Sequence, residues 1–264
     1  MLPHIDPARE TKRLTEFIKQ TVYKRGFKNI VIAVSGGIDS AVSLTLAVAA
    51  LSQQHVFPIM LPYKSLSKQA TIDAELIIAK LKFLQKQVEI VDISPAVDPL
   101  LKTLGLKFNS PTHRIRIGNI MARMRMIVLY DYAKKHRALV VGTENKSEHY
   151  LSYFTRFGDE ASDIEPIKHL YKTQVYELAR YLKIPESILT KAPTAGLWSG
   201  QTDEGEFGFT YKLADQILFG LYDKKYSPEK LVKLGFKRTE VENVKQWVEK
   251  NWFKHELPIA YQHS

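Results

Sequence analysis

The chain has 264 residues, 38 Lys and Arg against 28 Asp and Glu, a formal charge of +10 and no cysteine. The missing thiol excludes disulfides, cysteine metal sites and a cysteine nucleophile. No apolar run approaches the roughly 20 residues needed to span a bilayer, and the opening MLPHIDPARETKR has no apolar signal core, so a cytoplasmic protein without a membrane partner is expected. The length suits one large α/β core, read as a single domain over 1–264 with a helical C-terminal part. The basic residues are scattered, with no block and no RNA-binding signature, which favours an anionic small substrate over nucleic acid.

In chain order, Asp6-Pro7 reads as a helix cap and first turn, followed by Leu14, Phe17, Ile18 and Val22 at helical spacing up to Gly26. Ile30 to Val34 is a short apolar run with β-branched residues, the signature of a strand buried on both faces. A tight turn, Ser35 to Ser40, leads into the Ala- and Leu-rich helix Ala41–Leu51. His55–Leu61 is a second strand, ended by Pro62, and Ser67 can cap a helix to about Leu84. Gln87–Ile93 is a third strand, with Asp92 read as the cap of the helix that follows Pro95. This β-α-β-α-β alternation predicts a doubly wound, mostly parallel sheet with helices on both faces. Ligands of such sheets sit beyond the C-terminal strand ends, where the 35–40 turn falls.

That turn carries chemistry. Strand, glycine turn and helix leave backbone N–H groups free at a helix N-terminus, which favours an anion. Gly36 and Gly37 permit close backbone approach, and Ser35 and Ser40 add hydroxyl donors. Asp39 would repel a phosphate unless a cation lay between them, so it implies Mg²⁺. The turn has neither the spacing of a phosphate loop ending in Lys-Ser/Thr nor the pattern of a dinucleotide fold.

Arg114 to His136 is a long helix with Met121, Met124, Ile127, Val128 and Leu129 as its core stripe. Arg116 and Arg123 share one face, and Arg125 points elsewhere. Ala138–Val141 is a fourth strand, Ile164–Ile167 a short last one, and the aperiodic Leu151–Asp163 between them reads as an active-site loop. Lys172–Leu182 is helical. Lys191–Gly208 reads as a lid, Tyr211–Leu221 and Pro228–Leu234 as helices, and Arg238–Phe253 as an amphipathic helix before a short tail.

SGGIDS resembles the PP-loop of the ATP pyrophosphatases. Together with GNIMARMRM, GTENKSE, FTRFGDEASD, KAPTAGLWSGQTDE and a lysine near the C-terminus, in this order, it makes the chain resemble the ammonia-dependent NAD synthetases over nearly its whole length. The resemblance implies a Rossmann-like, adenine nucleotide hydrolase-type fold. The reaction it implies is adenylation of the nicotinate carboxylate of deamido-NAD by ATP, then amidation by ammonia to NAD and AMP. By resemblance, Ala33, Val34, Ser35, Gly36, Gly37, Ile38, Asp39 and Ser40 line the ATP site, with Thr143, Lys172 and Thr194. Asp39 and Glu148 would hold Mg²⁺, and Lys172 would meet the phosphates. Arg123, Arg156, Asp163 and Lys254 would bind deamido-NAD, and Asp159 would lie near ammonia. Many members have Lys at the position of Arg156, and a His-Lys pair where this chain has Phe253-Lys254, so Phe253 is given no polar role. A homodimer is also implied. Glutamine-dependent members carry an extra amidase domain with a Cys nucleophile. This sequence supplies neither, so free ammonia is the expected donor. A PP-loop enzyme acting on tRNA, of the lysidine synthetase kind, is the alternative. It shares the loop and suits the basic charge, but leaves the later motifs unexplained.

Overall fold

A computed structural model describes residues 1–64, 68–198, 200–256 and 259–261. The expected cap at Ser67 lies outside them. Helix α1 (Pro7–Lys24) starts as its sequence dictates: the Asp6 carboxylate accepts from the N–H groups of Ala8 and Arg9 at 3.1 Å, with Pro7 in the first turn. Leu14, Ile18 and Val22 are buried, whereas Phe17 is exposed, one position off the packed stripe.

Strand β1 (Asn29–Ala33) is the centre of the molecule. It is followed by α2 (Ile38–Leu51), β2 (Val56–Met60), α3 (Lys68–Lys80), β3 (Glu89–Ile90), α4 (Ser94–Thr103), α5 (Pro111–His136) and β4 (Ala138–Val141). All pairings are parallel and the order is β3-β2-β1-β4. Ile30 and Ile32 enter the core shared with α1, α2 and α3, while Val31 enters the one shared with α4 and α5. The alternation of one strand thus places helices on both faces. The chain winds from β1 to β2 to β3, then returns through α5 to β4 on the other side of β1. That reversal opens a crevice at the C-terminal ends of β1 and β4.

Two expected strands are shorter than read. The third contracts to Glu89–Ile90 because it is an edge: Ile90 is 57 % exposed, though Val91 N–H still donates to the Met60 carbonyl at 2.9 Å. Ile164–Ile167 supplies only a bridge to Val141, because Pro166 has no N–H to continue a ladder. The Asp92 carboxylate does accept from Ser94 N–H at 2.9 Å as α4 begins.

Beyond β4 come α6 (Lys146–Leu151), α7 (Lys172–Tyr181), α8 (Glu186–Leu189), α9 (Asp203–Phe207), α10 (Tyr211–Leu218), α11 (Pro228–Lys233) and α12 (Arg238–Asn251). The segment read as an unbroken lid therefore contains a helix, α9, capped by Thr202. Leu151, Phe207, Ile217, Val241, Val244 and Val248 form a third apolar core, which fixes the C-terminal helices beside the crevice. Among the described residues no helix is long and apolar enough to cross a membrane.

Candidate active site

The crevice is a cavity of about 790 Å³. Its floor is the turn between β1 and α2. Gly36 has φ +76° and its Cα faces the Ala70 carbonyl, so only glycine fits there. The requirement comes from close packing against α3, not from the cavity. The Ser35 and Ser40 hydroxyls lie 3.1 Å apart, and Ser40 donates to the Gly37 carbonyl at 2.9 Å. Gly37 caps α2 without a side-chain acceptor, which leaves the first-turn N–H groups to whatever enters the crevice. Asp39 lies in that first turn, because α2 begins at Ile38, three residues earlier than the Ala-rich run suggests.

Three elements converge above it. Lys172, the first residue of α7, is 3 % exposed; its ammonium donates to Asp39 Oδ2 at 2.6 Å and to Glu148 Oε1 at 2.8 Å. Asn145 links the same two residues: its amide donates to Asp39 Oδ1 at 2.9 Å and its carbonyl accepts from Glu148 N–H at 3.0 Å. Asp215 holds the start of α7 by accepting from Ser147 Oγ and from the N–H and hydroxyl of Thr173 at 2.5–2.9 Å. Burial opposes the Lys172 charge, but Asp39, Glu148 and Asp203 outweigh it and keep the ammonium charged well above its ordinary range. Burial pushes the Glu148 carboxyl up, against the pull of Lys172.

Of the residues singled out in the sequence, Ala33, Val34, Ser35, Gly37, Ile38, Asp39, Ser40, Thr143, Glu148, Lys172 and Thr194 line the cavity, as do Arg123, Arg156, Asp159 and Lys254. Gly36 lies behind the wall. Asp163 is not on the wall either; its carboxylate accepts from Val140 N–H at 2.8 Å, on the edge of β4. Arg123 donates through Nε and Nη2 to the Arg156 carbonyl at 3.2 and 3.1 Å, and Arg156 bonds the Glu256 carbonyl. Lys254 donates to the carbonyls of Ser152 and Phe154 at 2.8 and 3.0 Å, while Phe253 offers only its ring to the cavity. Asp159 is reached by solvent through the cavity but enclosed by protein, and that enclosure pushes its carboxyl up against the Thr155 N–H. A side recess of about 50 Å³ is lined by Thr143, Tyr153, Phe154 and four carboxylates: Glu144, Glu148, Asp159 and Glu160.

A family model described as NAD synthase matches residues 10–258. The chain belongs to the NAD synthase family. It is 42 % identical over 246 residues to the NH(3)-dependent NAD(+) synthetase of Fusobacterium nucleatum, covering 93 % of this chain and 92 % of that one. Among solved structures, an NMN synthetase from Francisella tularensis superposes with a TM-score of 0.84 at 33 % identity, covering 98 % of this chain and all of that one. An NH3-dependent NAD synthetase from Campylobacter jejuni, in complex with nitrate, gives 0.79 at 31 %, with the same coverage. The family favours the NAD-directed reading over the tRNA-directed one.

In this NAD synthase-family site some residues escaped sequence reasoning. Arg125 is the clearest correction. Expected to point away, it lines the cavity, and its Nε donates to the Leu61 carbonyl at 3.1 Å. The cavity wraps around α5, so helical spacing could not exclude it; Arg116, by contrast, is not on the wall. Ile127, expected in the core, is 55 % exposed. Asn145 and Asp203 sit inside the GTENKSE and QTDE stretches, and their polarity beside Glu148 and the lid was the available signal.

Proposed function

We propose that this chain is an ammonia-dependent ligase that converts deamido-NAD to NAD at the expense of ATP. The observation that carries this reading is the Asp39–Lys172–Glu148 cluster at the mouth of the glycine turn, in a cavity of about 790 Å³, a size typical of nucleotide and cofactor sites. A carboxylate is a poor acyl donor because its leaving group is oxide. Its oxygen therefore attacks the α-phosphorus of ATP, the bond to the bridging oxygen breaks, and pyrophosphate leaves. Ammonia then attacks the acyl carbon, the C–O bond to AMP breaks, and the surplus proton departs.

The chain's groups fit these steps. The turn N–H groups and Lys172 hold phosphate oxygens, with Thr143 and Thr194 beside the nucleotide. Among the described residues no group of three His, Asp or Glu side chains forms a self-sufficient metal cage. Asp39 and Glu148 nonetheless offer two hard oxygens converging on one cation, the donor set expected of Mg²⁺ completed by phosphates and water. When bound there, Mg²⁺ would neutralise phosphate charge. Arg123, Arg125, Arg156 and Lys254 supply cationic donors for the acid substrate. Asp163, exposed and bonded to Val140 N–H at the edge of β4, lies off the cavity wall, and its proposed contact with deamido-NAD rests on the family resemblance alone. Asp159, at the acidic recess, holds ammonium or takes its proton. A homodimer is proposed on the exposed apolar side chains of α5, Ile115 and Ile127, and light scattering at micromolar concentration checks it. Cytoplasmic location is part of the same reading.

The test is NAD formation from deamido-NAD, ATP and Mg²⁺ with ammonium or glutamine in parallel, read through alcohol dehydrogenase. A third arm offers nicotinic acid mononucleotide, because a structural neighbour is an NMN synthetase. NAD from ammonium alone is expected. Pyrophosphate release only with the mononucleotide would keep the chemistry and replace the substrate.

A further inference from the structure

Lys172 poses a problem for the site as read. Its ammonium is bonded to the two carboxylates that are to receive the divalent cation. Once that cation takes Asp39 and Glu148, a cation that is 3 % exposed loses both its acceptors. A buried ammonium without a counter-ion is strongly disfavoured.

Asp203 stands beside it. It is the first residue of α9, is 3 % exposed, and lies on the cavity wall. Its Oδ2 accepts from the Tyr211 hydroxyl at 3.1 Å, and the Tyr211 ring lies 5.2 Å from the Lys172 ammonium. Its other oxygen, Oδ1, is buried with no hydrogen bond among the described residues. The Tyr153 hydroxyl donates to Glu206 at 3.1 Å and also faces the Asp203 carboxylate. A buried carboxylate oxygen left unpaired is costly and calls for an occupant. The Asp203 backbone N–H donates to the Pro193 carbonyl at 3.0 Å, so its position is tied to the 191–198 segment over the cavity. Two carboxylates thus pair with the ammonium and a third, Asp203, stands behind Tyr211 without an ion pair to it; fully ionised, the group carries a net double negative charge that one divalent cation neutralises.

We propose that Asp203 is a positioning residue for Lys172: it takes over as counter-ion of the ammonium when Asp39 and Glu148 turn to the divalent cation, and so keeps Lys172 on the nucleotide. The inference rests on the Mg²⁺ reading given above. Asp203→Asn keeps the shape and the acceptor for Tyr211 but removes the charge. Because Lys172 still has Asp39 and Glu148 without metal, the defect appears only with metal present.

The experiment is calorimetric titration of the full chain with the non-hydrolysable analogue α,β-methylene-ATP, with and without Mg²⁺, alongside thermal unfolding. Asp203→Asn is expected to weaken analogue binding about tenfold or more in Mg²⁺ and by less than about twofold in its absence. Tyr211→Phe, which frees Asp203 Oδ2, should show the same pattern at smaller size and serves if the first variant does not fold. Equal losses with and without Mg²⁺, or no loss in either, would overturn the role. A wild-type chain whose affinity ignores Mg²⁺ overturns the metal reading itself, and this proposal with it; a wild-type Mg²⁺ response that both variants keep in full overturns the proposal alone.

Discussion

A side-chain carbon on Gly36 would lie 2.1 Å from the carbonyl oxygen of Ala70. This contact ties the glycine turn to α3, and it makes the first prediction. Gly36→Ala must both adopt φ near +76° and displace backbone. It should lower unfolding free energy by about 2–4 kcal/mol and weaken ATP binding as the turn shifts. Urea unfolding and ATP titration check it. A Gly37→Ala variant, at ordinary φ with only the Ser35 hydroxyl within 3.3 Å, should be much milder.

Lys172→Met leaves Asp39 and Glu148 facing each other without the ammonium they share. Removing one partner of a buried ion cluster costs about 3 kcal/mol, and Mg²⁺ should restore part of this stability. Asp39→Asn and Glu148→Gln each keep Lys172 one carboxylate and should fold, but pyrophosphate release should fall about 10²-fold or more. Unfolding curves with and without Mg²⁺, and a pyrophosphate assay, separate the two classes.

Arg125 is enclosed in the cavity wall; burial lowers its pKa and Asp159 counters that shift. An interaction made in such surroundings is stronger than one at an exposed site. Arg125→Met should therefore raise KM for deamido-NAD about tenfold with a smaller change for ATP. Arg123→Ala should act in the same direction more weakly, because Arg123 is exposed. Steady-state kinetics with each substrate varied will read both.

Glu165 offers a stability test by pH. Burial pushes its carboxyl from 4.5 to about 7, against the Ser162 hydroxyl that donates to it at 2.7 Å. Between those values the folded chain holds a proton that the unfolded chain has released, so stability falls as pH rises through the window. The contribution is fully present below about 4.5 and lost above about 7. Glu165→Gln should remove that pH dependence, a change of up to roughly 3 kcal/mol across the window, measured by urea unfolding at several pH values.

Strand β1, the turn after it and helices α1, α2 and α5 were legible because their signals are local. A β-branched run, a glycine pair and a capped apolar period each act within a few residues. Glu148 was legible only through its motif and Lys172 only through the family resemblance, since nothing in the spacing of two distant residues says that they meet at 2.8 Å.

By itself the sequence determined the parallel sheet, the glycine turn after its first strand, the absence of cysteine and the family. Tertiary structure decided the rest. It put the Lys172 ammonium between Asp39 and Glu148, brought Arg125 around α5 to the cavity wall and kept Asp163 at the strand edge. It also left one oxygen of Asp203 buried and unpaired among the described residues. The physical reason is one of range. Backbone geometry is set by neighbours along the chain, whereas the charge state and partners of a buried ionisable group are set by whatever the fold packs against it.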